Sequence, residues 1–274
     1  MRKDTIGRIG RTAILLLALG ACRRHPSVAS QGPATTPSAP LPSKASPPSS
    51  DSPVDAAISE GHASADLLRV LAMGDSLTDG ERLPGGWRPA MKRACANLRI
   101  DFVGSRTSGP PGFDDPENEG HTGWTIDRVG VRAAEWTRAA SPDVILLMLG
   151  TNDVAIGTRL DSAPTRLADV ARAVANAAPR ALVLVSTLPT MTRSTEWRGR
   201  VEQFNRRTSE EIGSLARDGV AVRFVDVGGA IHGSDLRDGV HPSAQGNEQL
   251  GRAWCRALED GLAADGGVQE PADP

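Results

Sequence analysis

Residues 68–80 read Leu-Arg-Val-Leu-Ala-Met-Gly-Asp-Ser-Leu-Thr-Asp-Gly: a mostly apolar run, then a serine with glycines on both sides. The run 68–73 has the length and composition of a buried strand, and the Gly74-Asp75 pair ends it. Ser76 thus stands at a strand-to-loop turn. Its hydroxyl is presented at the edge of a sheet, and the following backbone amides are free to donate hydrogen bonds. Serine between glycine and aspartate is also ordinary turn chemistry, so the rest of the chain has to decide what this turn is for.

Outward from this point, short apolar runs alternate with longer amphipathic stretches. The clearest further strand is the unbroken run 144–149, and 101–104, 181–186 and 220–225 are strand-like. Helices are predicted over 87–97 and over 125–140, with Thr125 at the N-cap of the second. Leu167, Val170 and Val174 recur at helical spacing, 196–218 is helical, and a closing helix from 243 to about 262 sets Leu250, Trp254 and Leu258 on one face. Strands alternating with helices imply a three-layer α/β/α domain of flavodoxin-like type with a five-stranded parallel sheet. Active residues in such a sheet lie beyond the carboxyl ends of the strands.

Two further motifs fall at those ends. The run 144–149 is followed by Gly150-Thr151-Asn152-Asp153, and the last strand is followed by Asp238-Gly239-Val240-His241-Pro242. A histidine three residues after an aspartate, across a glycine, can let the carboxylate accept from Nδ1 and leave Nε2 to take a proton from serine. Asp238 and His241 read alone also fit a surface turn stopped by Pro242. Asp75 and Asp153 read as turn and loop braces.

With these residues the chain resembles the SGNH hydrolases, also called GDSL esterases and lipases, over about 68–258. The resemblance implies that Ser76 is the nucleophile, His241 the general acid and base, and Asp238 its orienting partner. It also implies an oxyanion hole formed by the Ser76 amide, Gly104 and Asn152. Three segments narrow it: Gly85-Gly86-Trp87-Arg88, Asp101-Phe102-Val103-Gly104-Ser105, and the run 119–127, Glu-Gly-His-Thr-Gly-Trp-Thr-Ile-Asp. Together they are similar to the acetylxylan esterases of carbohydrate esterase family three, which implies an acetylated carbohydrate as substrate. His121 and Trp124 either bind that substrate, an indole face suiting a sugar ring, or brace their loop. A general lipase or lysophospholipase and a catalytically idle glycan-binding envelope lipoprotein are the competing functions.

The 274 residues suit one substantial domain with appendages. Lys and Arg number 31 against 33 Asp and Glu, a balance without the basic excess that nucleic-acid binding needs. There is no Tyr, so Ala, Val, Leu and Ile must build most of the core. The five histidines are scattered and no Cys-x-x-Cys occurs, so the reading includes neither a metal nor a cofactor. Arg2, Lys3, Arg8 and Arg11 precede a short apolar run and Cys22. Residues 1–22 read as a leader, and Leu19-Gly20-Ala21-Cys22 resembles the lipobox of bacterial lipoproteins, which implies lipidation of Cys22. The expected location is the bacterial cell envelope, with a lipid anchor in a membrane. Residues 23–66, which hold eight of the 20 prolines, form a tether that no core can organise. The hydrolase domain spans 67–264, and 265–274 is a tail. Cys95 and Cys255 fall on the first and last predicted helices, either as a disulfide or as two inert buried thiols.

Overall fold

The computed structural model describes residues 67–157 and 159–265. The expected leader with Cys22, the tether 23–66 and the tail expected over 265–274 lie outside the described residues, except for Asp265, which ends the last helix instead of opening the tail.

Strand β1 (Leu68–Gly74) runs through the middle of the sheet, and its last five residues are buried. It pairs in parallel with β2 (Ile100–Val103) on one side and with β5 (Val144–Met148) on the other, so that Val70 lies between Phe102 and Val144. Strand β6 (Leu182–Ser186) pairs with β5, and β7 (Val222–Val225) pairs with β6. Every residue of β5 and β6 is buried. Strands covered on both faces carry continuous apolar runs rather than alternation, which is why these were visible in the sequence.

The five expected parallel strands are joined by two short ones, giving a seven-stranded sheet. Strands β3 (Arg106–Thr107) and β4 (Glu117–Gly120) pair antiparallel. Beyond the end of β2, β4 joins β1 in parallel, with Met73 opposite Glu119 and Gly74 opposite Gly120. The polar sequence of β4 hides it from any hydrophobic pattern. Its Asn118 and Glu119 are nevertheless buried, because their side chains are fully engaged in hydrogen bonds.

Helices α3 (Ile126–Ala140), α5 (Ala163–Ala177) and α6 (Thr195–Arg217) pack side by side, while α2 (Arg88–Ala94) packs against α7 (Ala244–Asp265). Thr125 does stand at the N-cap of α3, but its side chain makes no capping bond. The Ile126 amide donates instead to Asp153 Oδ2 at 2.9 Å, and Arg166 Nη1 holds the other oxygen at 3.0 Å. The free amide that a helix start leaves behind is thus satisfied from another element. On the opposite side of the sheet, Leu250, Trp254 and Leu258 of α7 are all fully buried. Trp254 meets Trp87 at 5.3 Å between ring centroids, and Trp87 in turn meets Phe102 edge-on at 6.4 Å. Cys95 and Cys255 are joined as a disulfide, with their Cα atoms 5.6 Å apart. This resolves the choice that the sequence left open.

Candidate active site

Ser76 opens the one-turn helix α1 (Ser76–Asp79) immediately after β1. Asp75 precedes it, fully buried, and accepts from the Leu77 amide through Oδ1 and from the Thr151 amide through Oδ2, each at 3.1 Å. Burial pushes the Asp75 carboxyl above its ordinary range, against the pull of these donors. Asp75 therefore joins the carboxyl end of β1 to that of β5 and stays out of the reacting group, as its reading as a turn brace requires.

His241 arrives from the loop between β7 and α7. Its Nε2 lies 3.0 Å from Ser76 Oγ, and its Nδ1 lies 2.8 Å from Asp238 Oδ2. Asp238 Oδ1 accepts from the backbone amides of Val240 at 3.1 Å and His241 at 2.8 Å. The turn closes because Gly239 takes φ +79°, a conformation that costs glycine little. Burial pushes the Asp238 carboxyl up, but the hydrogen bonds and the nearby imidazole outweigh it and hold it down to about 2. Asp238 is thus an anion at neutral pH and fixes the Nδ1–H tautomer. The bare Nε2 can then accept from the Ser76 hydroxyl, the arrangement that makes a serine nucleophilic.

Glu81 is a neighbour that sequence reasoning missed. Its Oε2 lies 3.1 Å from His241 Nε2 and offers a second acceptor to the ring once Nε2 is protonated. No motif marks it, since the contact depends on the path of the loop after Gly80.

Gly104 follows β2, Ser76 follows β1, and Asn152 lies in the first turn of α4 (Thr151–Ile156) after β5. These strands are neighbours, so the three expected oxyanion donors stand at adjacent strand ends. A side chain at Gly104 would meet the Asn118 carbonyl oxygen at 2.2 Å, which reserves the position for glycine. Asn152 Nδ2 donates to the Trp124 carbonyl at 2.8 Å. Its second hydrogen is left for another acceptor.

His121 is 8% exposed. Its ring stacks on Trp124 at 4.4 Å and on Trp136 at 4.5 Å, and the two indoles are themselves 6.1 Å apart, so the three rings form one packed cluster. Trp124 carries the Arg128 guanidinium 4.5 Å from its ring centre. This geometry corresponds to the bracing role rather than to an open sugar platform. Arg88, buried completely, ties the same region to the sheet by donating to the carbonyls of Ser108, Pro116 and Glu117.

The profile of the GDSL-like lipase/acylhydrolase family matches residues 72–249, well over half of the chain. A multidomain esterase of Ruminococcus flavefaciens is 28% identical over an alignment 240 residues long, which covers 77% of this chain and 31% of that protein. The chain thus spans about a third of the length of that relative. The structure of a Clostridium thermocellum family 3 carbohydrate esterase gives a TM-score of 0.65 at 28% identity, covering 74% of this chain and all of that one. A family 3 carbohydrate esterase from Talaromyces cellulolyticus gives 0.63 at 29% identity, over 72% and 99% of the two chains. By the extent of the profile match, this chain belongs to the GDSL-like lipase/acylhydrolase family, whose chemistry is the hydrolysis of carboxylic esters.

Proposed function

We propose that the chain is a serine esterase that removes acetyl groups from a carbohydrate, acetylated xylan being the first candidate, through an acyl-enzyme. The observation that carries this reading is the unbroken hydrogen-bonded series Ser76, His241, Asp238 at the strand ends. Ser76 Oγ attacks the acetyl carbonyl carbon while its proton passes to His241 Nε2. The resulting oxyanion is held by the amides of Ser76 and Gly104 and by Asn152 Nδ2. Collapse of the intermediate breaks the bond to the sugar oxygen, which takes the proton from His241. Water then gives its proton to His241, attacks the acyl carbon and releases acetic acid, and Ser76 regains its hydrogen.

The choice of a small acyl group is supported by what lies beside Ser76. There β4 and its flanking loop bury Arg88, Asn118 and Glu119 in hydrogen bonds instead of lining an apolar channel. The cavity of about 310 Å³ between β7 and α7 is lined by Leu184, Phe224, Ala253 and their neighbours, and does not include Ser76. The kinship with family 3 carbohydrate esterases supports the sugar moiety. Export to the cell envelope with Cys22 as lipid anchor belongs to the same proposal, and the Cys95–Cys255 disulfide supports an oxidising compartment. The test is hydrolysis of acetylated xylan and of p-nitrophenyl esters of increasing length. Acetate should be cleaved far faster than octanoate, and Ser76→Ala should abolish both. A preference for octanoate would replace this reading with a lipase, and turnover by Ser76→Ala within about tenfold of wild type would refute the nucleophile.

A further inference from the structure

Glu119 and His121 are buried ionisable groups to which the proton transfers above give no part. They lie two residues apart at the end of β4, so their side chains share one face, and Glu119 Oε1 is 2.7 Å from His121 Nε2. The carboxylate has two further donors, both from the residue that follows Gly104. The Ser105 amide donates to Oε2 at 2.8 Å and its hydroxyl to Oε1 at 2.9 Å. On the other side, the His121 ring packs in one cluster with Trp124 and Trp136, and the Trp124 amide donates to the His121 carbonyl at 3.0 Å. The Trp124 carbonyl then accepts from Asn152 Nδ2. One buried pair thus connects the segment carrying Gly104 with the carboxamide of Asn152.

We propose that Glu119 and His121 are positioning residues which hold the two outer donors of the oxyanion hole in register, Glu119 through Ser105 and His121 through Trp124. The proposal rests on the serine-esterase reading, in which Gly104 and Asn152 donate to the oxyanion. Its physical basis is that such donors act only when aimed in advance at the place where charge develops. Gly104 has no side chain with which to fix itself. Its peptide is fixed because the next amide is committed to a buried carboxylate and because its Cα lies against Asn118. Asn152 is a rotatable amide whose orientation is set by where its first hydrogen goes. Both restraints converge on the same imidazole, which the two indoles and the carboxylate prevent from turning.

The test compares Glu119→Gln, His121→Ala and His121→Phe on the full chain, with p-nitrophenyl acetate as substrate and phenylboronic acid as a probe that forms a tetrahedral adduct on serine. Removing one oxyanion donor costs roughly 10²–10³ in kcat. His121→Ala is therefore expected to lose about 10²-fold in kcat with KM within about twofold, and to bind the boronate more weakly in parallel. His121→Phe keeps an aromatic ring packed on the two indoles and should recover about tenfold of that loss. Glu119→Gln should show the same split between kcat and KM. A purely structural role would lower the melting temperature and leave kcat of the folded enzyme and its boronate affinity unchanged, and that result overturns the proposal. If His121→Ala does not fold, Glu119→Gln and His121→Phe decide by the same criteria. Activity that survives Ser76→Ala would instead overturn the serine-esterase reading. Activity that needs Ser76 but ignores all three substitutions would overturn the positioning role alone.

Discussion

Replacing both bridged cysteines, Cys95→Ala with Cys255→Ala, should cost the domain a large part of its thermal margin while sparing its activity at low temperature. The two residues are 160 positions apart, so the bond removes the freedom of a long loop from the unfolded chain. For a loop of that size the chain-entropy relation gives about 5 kcal/mol at 25 °C. The described domain has about 200 residues, and at an unfolding entropy of roughly 2.1 cal/mol/K per residue the loss corresponds to a fall in Tm of about 10–15 °C. The link also has a functional side. Helix α2 follows the loop that carries Ser76, and α7 follows the loop that carries His241, so the bond ties the helical supports of the two partners. Calorimetry of the oxidised wild type, the reduced wild type and the double variant measures the effect, with p-nitrophenyl acetate hydrolysis at 25 °C read in parallel. A fall of less than about 4 °C, or two reactive thiols beyond Cys22 in the denatured but unreduced protein, would refute the reasoning.

Asp238→Asn should retain more activity than His241→Ala, because it disturbs the tautomer and the imidazolium without removing the base; equal losses in kcat would contradict this, and an unchanged kcat in Asp238→Asn would show that another group orients the ring. The Asp238 carboxyl is held down to about 2 in the folded protein, so its stabilising contribution is complete above the ordinary carboxylate range and disappears as pH falls through about 2. Urea midpoints of Asp238→Asn between pH 5 and pH 2 should therefore fall less steeply than those of wild type, and parallel curves would contradict this. Expressed in a bacterium, the wild type should partition with membranes and Cys22→Ser should not, since bacterial lipidation supplies more than one acyl chain. Mass spectrometry showing an unmodified Cys22, or cleavage elsewhere, would dismiss the anchor.

What could be read in the sequence follows from the range over which each signal acts. The unbroken apolar runs of β1, β5 and β6 and the Leu250, Trp254, Leu258 face of α7 are local patterns, and they led directly to the layered fold. Asp238 and His241 were legible as a pair because a four-residue turn brings them together whatever surrounds it. Strand β4 was not, since its burial rests on hydrogen bonds that Glu119 accepts from Ser105 and that Asn118 donates to Ser108 and Pro116, rather than on apolar residues. Thr125 had the right residue type for a cap, yet Asp153, 27 positions away along the chain from Ile126, supplies the acceptor. Glu81 beside His241 and Ser105 beside Glu119 are likewise contacts between segments distant in the chain. Nothing in residue spacing anticipates them.

The two-sided engagement of Asp75 restricts what its position can hold. Each carboxylate oxygen receives one amide hydrogen, from Leu77 on the serine side and from Thr151 on the asparagine side. Asparagine has nearly the same shape but only one accepting oxygen. Its NH2 group would point hydrogen against hydrogen at whichever amide was left over. The loops bearing Ser76 and Asn152 are thus clasped by one side chain that accepts on both of its oxygens at the root of the site, and an isosteric side chain that accepts on only one would push apart one of the two loops that it ought to hold.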